Sequence, residues 1–129
     1  MADAKVVLAL DSGVLIEAEK DQRVEALIRT WLGRGARIMI SAPSLSECIR
    51  GGPKDAVANR LIKAIDNTHD VDESIARSAG VRLGRTRSQS TIDALIVATA
   101  EHHAVTDILT TDPVDITRLV SSHVNVIAL

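Results

Sequence analysis

The chain has 129 residues, 46% of them hydrophobic and 25% charged, with a formal net charge of −2. This balance fits one globular domain with its own core and argues against an all-over basic nucleic-acid binder. Trp31 is the sole aromatic ring beside no Phe or Tyr, which removes most base stacking on aromatics, and Cys48 is the sole cysteine, which rules out an internal disulfide framework and fits a reducing compartment.

Lys5 to Leu10 is a nearly continuous apolar run, as in a strand covered on both faces. Asp11, Ser12 and Gly13 end it. A short helix is predicted over Val14 to Glu19 and a second over Asp21 to Gly33, where Val24, Leu27, Ile28, Trp31 and Leu32 recur at helical spacing. Arg37 to Ile40 reads as a strand. A helix then starts near Ser44 and stops before Gly51, Gly52 and Pro53. Lys54 to Ile65 carries Val57, Leu61, Ile62 and Ile65 on one helical stripe. His69 to Val71 suits a short strand, and Asp72 to Leu83 a helix despite Gly80. Thr91 to His103 is apolar nearly all round, as in a buried helix. Val105 to Thr110 reads as a strand, Pro113 to Ser121 as a helix and Val124 to Leu129 as a last strand. This alternation predicts an α/β fold, a mainly parallel sheet with helices on both faces, in a single domain over 1–129. No apolar run reaches membrane-spanning length, and the N-terminus lacks a signal-peptide pattern, so a cytoplasmic protein is expected.

Four acids stand where a ligand site is expected. Asp11 follows the first strand, Glu47 lies early in the helix after the second, Asp93 opens the buried helix, and Asp112 follows the strand ending Ile108-Leu109-Thr110. In open α/β sheets, sites form beyond the carboxyl ends of strands. Each acid also has a plainer reading. Asp11 and Asp112 suit helix N-caps, with Pro113 at the favoured first helical position. Ser44 with Glu47 suits a capping box, and Ser90 with Asp93 has similar spacing. Capping alone does not explain why the acids should converge. Clustered carboxylates take up a proton unless a cation neutralises them, and oxygen-only ligands suit Mg2+ or Mn2+.

These segments resemble the motifs of PIN-domain nucleases. Val6-Val7-Leu8-Ala9-Leu10-Asp11-Ser12-Gly13-Val14-Leu15-Ile16 is similar to the opening motif, and Ser44-Leu45-Ser46-Glu47 to the second. Thr91-Ile92-Asp93-Ala94-Leu95-Ile96-Val97-Ala98 is similar to the third, and Leu109-Thr110-Thr111-Asp112 to the fourth. In its compact length the chain looks most like the VapC toxins of bacterial toxin–antitoxin pairs. The resemblance implies a five-stranded PIN-like sheet and a metal-dependent endoribonuclease. Asp11, Glu47, Asp93 and Asp112 would be catalytic and ligate the metal directly or through water. Thr110, Ser12 and Asp115 would have supporting places. The segment Asp112-Pro113-Val114-Asp115-Ile116 departs from the more usual aromatic-containing form, which bears on Asp115 rather than Asp112. The resemblance also implies a homodimer and an antitoxin that blocks the site. Magnesium would polarise the scissile phosphate and activate a water, with Glu47 or Asp93 taking its proton and products carrying 3′-hydroxyl and 5′-phosphate ends.

Between Ser74 and Ile92 there is no acid, whereas Arg77, Arg82, Arg85 and Arg87 occur there. This stretch reads as a phosphate-contacting rim, with Arg85 and Arg87 nearest Asp93, or else as a solvated face. His102 and His103 suit cations at a helix carboxyl end. Cys48 suits a packed free thiol, and Trp31 the core or a dimer interface. Two other enzyme-related readings fare worse: a phosphorylation receiver needs a late lysine, yet every lysine lies at or before Lys63. A haloacid-dehalogenase phosphatase needs an Asp-x-Asp pair, yet Ser12 and Gly13 follow Asp11. A non-enzymatic partner-binding domain would keep the acids as caps alone.

Overall fold

In a computed structural model, which describes residues 7–129, the apolar runs become strands and the periodic stretches helices. The elements are β1 (Val7–Leu10), α1 (Ser12–Lys20), α2 (Gln22–Gly33), β2 (Arg37–Ser41), α3 (Leu45–Cys48), α4 (Ala56–Ile65), β3 (Thr68–His69), α5 (Glu73–Thr86), α6 (Thr91–His102), β4 (Asp107–Thr110), α7 (Pro113–Leu119) and β5 (Asn125–Ala128). Lys5 and Val6, placed in the first strand by the sequence, lie outside the described residues. The strands form one all-parallel sheet in the order β3-β2-β1-β4-β5. This order differs from the 2-1-3-4-5 order of receiver-type domains. Among the described residues, no helix is long and apolar enough to cross a membrane.

Period-two alternation sorts the strand side chains between two cores. Leu8, Leu10, Ile38, Ile40 and Leu109 face α1, α2 and α4, where Leu15, Ile28 and Leu61 are fully buried. Ala9, Met39 and Ile108 face the other way, into a cluster with Ile75 and Ala79 of α5, Ala94, Val97 and Ala98 of α6 and Ile116 of α7. Trp31 packs partly buried against the first core. The central turns of α6 are buried from Ile96 to Ala100, as its all-round apolarity predicts.

The ends of several elements differ from the sequence expectation for local reasons. Helix α1 starts at Ser12 because Asp11 already caps it, and α2 starts behind the Asp21 cap. Helix α3 is only four residues long, since Ile49 takes extended backbone (φ −92°, ψ 129°). Helix α5 runs three residues beyond Leu83 and stops where Arg87 adopts left-handed backbone at φ 56°. Strand β3 shrinks to Thr68–His69. The cationic end foreseen for α6 does not hold for His103. Its ring stacks on His69 at 3.7 Å, and burial, His69 and His102 together hold it below the ordinary histidine range.

One ion pair ties the three helices of the second face. Arg82 of α5 donates to Glu101 of α6 at 2.7 Å and to the Leu119 carbonyl at the end of α7 at 2.8 Å. Ser121 N–H also donates to Glu101. Burial opposes ionisation of Glu101, but the Ser121 and Arg82 donors outweigh it and hold the carboxyl below its usual range. Arg82 is therefore a structural residue and leaves the phosphate-contacting rim in which the sequence placed it; Arg77 is paired with Glu73. Removing one partner of such a pair strands the other. Arg82→Met is expected to cost about 2–3 kcal/mol, below the full cost for a dry pair. Urea unfolding measures it, and an unchanged midpoint would show that the pair does not hold these helices.

Candidate active site

The strand order reverses direction at β1, so the crevice between the carboxyl ends of β1 and β4 is the natural ligand position. Asp11 follows β1, with its N–H donating to the Leu109 carbonyl of β4 at 3.0 Å. It is buried, at 4% exposure, and both of its oxygens are engaged. Thr110 donates its hydroxyl to Asp11 Oδ2 at 2.5 Å, and the same hydroxyl oxygen accepts from Asp112 N–H at 2.8 Å. One side chain thus fixes two of the acids to each other.

Ser12 links a third. Its Oγ lies 2.7 Å from Glu47 Oε1 and 3.1 Å from Asp11 Oδ1. It carries one hydrogen, so it serves one carboxylate at a time, and the shorter contact marks Glu47. Gly13 opens α1 beside the loop after β4. A Cβ there would lie 2.0 Å from Thr111 Oγ1 and 3.2 Å from Thr111 Cβ, so a larger residue would have to push Thr111 aside for α1 to pack against the loop that carries Asp112. The sequence read Gly13 merely as a strand terminator.

Asp93, in the first turn of α6, shows that the acids converge. Its carboxyl is pushed up to about 6, first by burial and then by the charges of Asp11, Glu47, Asp112 and Asp115. Oxygens of Asp93, Asp112 and Asp115 lie within 4.8 Å of one another. Asp115, expected only in a support role, belongs to this tight set; Asp11 and Glu47 stand outside it but within electrostatic reach. Among the described residues, no salt bridge engages any of the five. An uncompensated, oxygen-only cluster is what a hard divalent cation requires, so these residues fit Mg2+ or Mn2+.

The capping readings divide. Asp11 and Asp112 are N-caps, accepting from Gly13 N–H at a long 3.5 Å and from Asp115 N–H at 3.4 Å. Ser44 and Ser90 make no side-chain cap bond, so neither capping box forms. Ser44 Oγ is buried without a partner among the described residues, as is Ser41 Oγ at the end of β2.

Glu47 rides on a helix too short to hold itself. Arg50 secures that helix by donating to the carbonyls of Ser46, Glu47 and Ile49 at 2.9–3.0 Å. Asp55, only 5% exposed, accepts from the N–H groups of Arg50 and Gly51. Those backbone donors hold its carboxyl below the ordinary range against desolvation. Neither residue was picked out from sequence; the only signal was an acid three residues beyond a Gly-Gly pair. Cys48 is a buried free thiol whose pKa is raised by burial and by Asp55, so it is no activated nucleophile.

Arg85 lies on the last turn of α5, and Arg87 on the turn into α6; both are exposed. Among the described residues, neither has a carboxylate partner.

Comparison with known proteins agrees with this architecture. The model of the PIN domain matches residues 8–119. One chain of the VapBC2 complex of Rickettsia felis, bound to a promoter DNA fragment, superposes with a TM-score of 0.75 at 12% identity, covering 96% of this chain and 99% of that one. A chain of DNA-bound VapBC from Salmonella typhimurium gives 0.74 at 19% identity, with coverage of 95% and 98%. A chain of a toxin–antitoxin complex from Klebsiella pneumoniae gives 0.66 at 22%, with coverage of 84% and 88%. At these identities the likeness is one of fold. No curated protein matches in sequence.

Two outcomes follow from the geometry. Because the Asp93 pKa is raised on folding, from 3.8 to about 6, the metal-free folded protein binds a proton that the unfolded chain releases. Stability therefore falls as pH rises through that interval and levels off above it. In chelator, Asp93→Asn should lose less stability than the parent between pH 4 and pH 7 and be the more stable at pH 7, by on the order of 2 kcal/mol in urea unfolding. Parallel pH curves would refute the raised Asp93 pKa. Separately, Asp55→Ala should speed amide hydrogen exchange at Arg50 and Gly51 roughly tenfold while sparing β1; unaltered exchange there would show that the loop holds without it.

Proposed function

This chain belongs to the PIN-domain family, a family of nucleases, and we propose that it is a magnesium-dependent endoribonuclease, the toxin of a toxin–antitoxin pair. The observation that carries the reading is the convergence of Asp11, Glu47, Asp112 and Asp115 on Asp93, whose carboxyl is pushed up to about 6 by burial first and by their charges next. A cluster so costly in isolation is explained by a cation that neutralises it. The toxin assignment draws on the similar folds found in VapBC and in a named toxin–antitoxin complex.

When bound, a divalent cation supplies Lewis-acid polarisation of the phosphoryl oxygens and lowers the pKa of a water in the site. Asp93, Asp112 and Asp115 would hold it, with Asp11 completing the set from the end of β1. Thr110 keeps Asp11 and Asp112 in register, its hydroxyl donating to Asp11 Oδ2 and accepting from Asp112 N–H. Glu47 accepts the proton of the attacking water on the carboxylate oxygen that Ser12 leaves unengaged. The products carry 3′-hydroxyl and 5′-phosphate ends. Arg85 and Arg87, exposed beside the α5–α6 turn, contact substrate phosphates. A cognate antitoxin covers the site, the working form is a homodimer, and the protein acts in the cytoplasm.

Purified protein incubated with pooled cellular RNA is expected to make discrete cuts with Mg2+ or Mn2+ and none with chelator. Asp11→Asn should cut about 10²–10³-fold more slowly. Cleavage undiminished by chelator, or an Asp11→Asn variant as fast as the parent, would overturn the assignment.

A further inference from the structure

The carboxylate cluster has a neighbour of opposite character. Helices α5 and α7 flank a groove of 280 Å³ lined by Arg82, Arg85 and Arg118, with Ser78, Thr86 and Ser121 between them. No carboxylate is among its lining residues. Arg82 is committed to Glu101 and the Leu119 carbonyl and serves as a wall. Arg85 and Arg118 are exposed, and among the described residues neither is paired with an acid. Two uncommitted guanidinium groups therefore share one groove.

The two helices that line the groove also lead to the cluster. Asp115 and Arg118 are three residues apart on α7 and so share a side of it. Arg85 lies two residues before Arg87, whose left-handed turn reverses the chain into α6 and Asp93. Arg87 itself does not line the groove. A phosphodiester approaching the cluster meets five carboxylates, which a single divalent cation does not cancel, so cationic contacts beside the site must offset the repulsion. The volume lies below the roughly 300–1,000 Å³ of small-molecule pockets. It suits a chain passing over a cationic floor rather than an enclosed ligand. Val81, 53% exposed in the lining, gives a ribose an apolar contact.

We propose that the α5–α7 groove is a subsite for the sugar–phosphate backbone of the substrate RNA next to the scissile bond, with Arg85 and Arg118 gripping its phosphates. The inference rests on the nuclease reading above. It adds Arg118 to the substrate contacts and sets the path of the strand, down the side of α7 from Asp115.

The test uses full-length Asp11→Asn protein, which binds without efficient cleavage, and a short labelled single-stranded RNA of mixed sequence titrated across salt concentrations. Arg85→Gln and Arg118→Gln should each weaken binding several-fold and reduce the slope of log affinity against log salt by about 0.7, the double variant by about 1.4. Arg34→Gln, at the end of α2 on the other face of the sheet, is the control and should leave the slope unchanged. Unchanged slopes in both groove variants, with parental melting temperatures, overturn the proposal. Metal-dependent cleavage by the parent together with unchanged slopes refutes the groove alone. No cleavage, with slopes that depend on the two arginines, refutes the nuclease reading and leaves an RNA-binding groove.

Discussion

Like charges crowded at one end of a parallel sheet set the terms for the rest of this structure. Five carboxylates from four elements lie close enough that four of them raise the proton affinity of the fifth. Left to themselves such groups would splay into solvent, where water screens them. Three of them, Asp11, Asp112 and Glu47, are held by groups outside the cluster. Thr110 clamps Asp11 to the Asp112 backbone, Ser12 spans to Glu47, and Arg50 with Asp55 anchors the four-residue helix under Glu47. Gly13 lets the first turn of α1 lie against Thr111. These supports cluster at the two strand ends where topology opens a crevice, so fold and site share one frame.

Capping and ligation compete less than they seem to in the sequence. A carboxylate has two oxygens and about four lone-pair directions. Asp112 spends one oxygen on a long 3.4 Å bond to Asp115 N–H and still joins the tight acidic set. The long bond is informative, because a cap serving only its helix would close to about 2.8–3.0 Å, as Asp21 and Asp72 do on α2 and α5. Asp11 and Asp112 are thus caps whose geometry is slack. The anion also stabilises the helix amino terminus. A residue of this kind contributes to folding and to chemistry through different atoms.

What the sequence showed and hid follows from the distances over which each interaction acts. Asp11 and Asp112 were legible because each directly follows an apolar run, and the alternation of elements places both at one edge. Asp93 was legible through its buried helix. The status of Arg82 was hidden, since its partner Glu101 lies nineteen residues on, in another helix, and a basic stretch read locally looks like a surface. Asp55 was hidden for the same reason: its work is to receive backbone donors from a loop, and no pattern of side-chain types encodes that. The closeness of Asp115 to Asp93 and Asp112 was hidden because its place depends on how α7 is rotated, which is set by Ile116 and Leu119 seating in the second core. The Ser44–Glu47 capping box failed because the chain enters α3 through a 3₁₀ turn, leaving Ser44 already helical and its hydroxyl buried.

The sign of the net charge now has a structural account. At −2 overall, the chain is a poor candidate for holding nucleic acid by general attraction. Its acids and its uncommitted arginines are segregated, however: the carboxylates gather at the ends of β1 and β4, and Arg85 and Arg118 line a groove without acids. Arginines with local acidic partners, such as Arg23, Arg29, Arg60 and Arg77, contribute little to that field, because their charge is largely cancelled within a few ångströms. Net charge therefore understates what the α5–α7 side presents to a phosphodiester. With no aromatic platform beyond Trp31, which is partly buried in the opposite core, backbone charge is the recognition available to this fold. On the proposed function, selectivity among RNAs falls to the shape of the strand that can reach the carboxylates and the arginines together, rather than to stacking on individual bases.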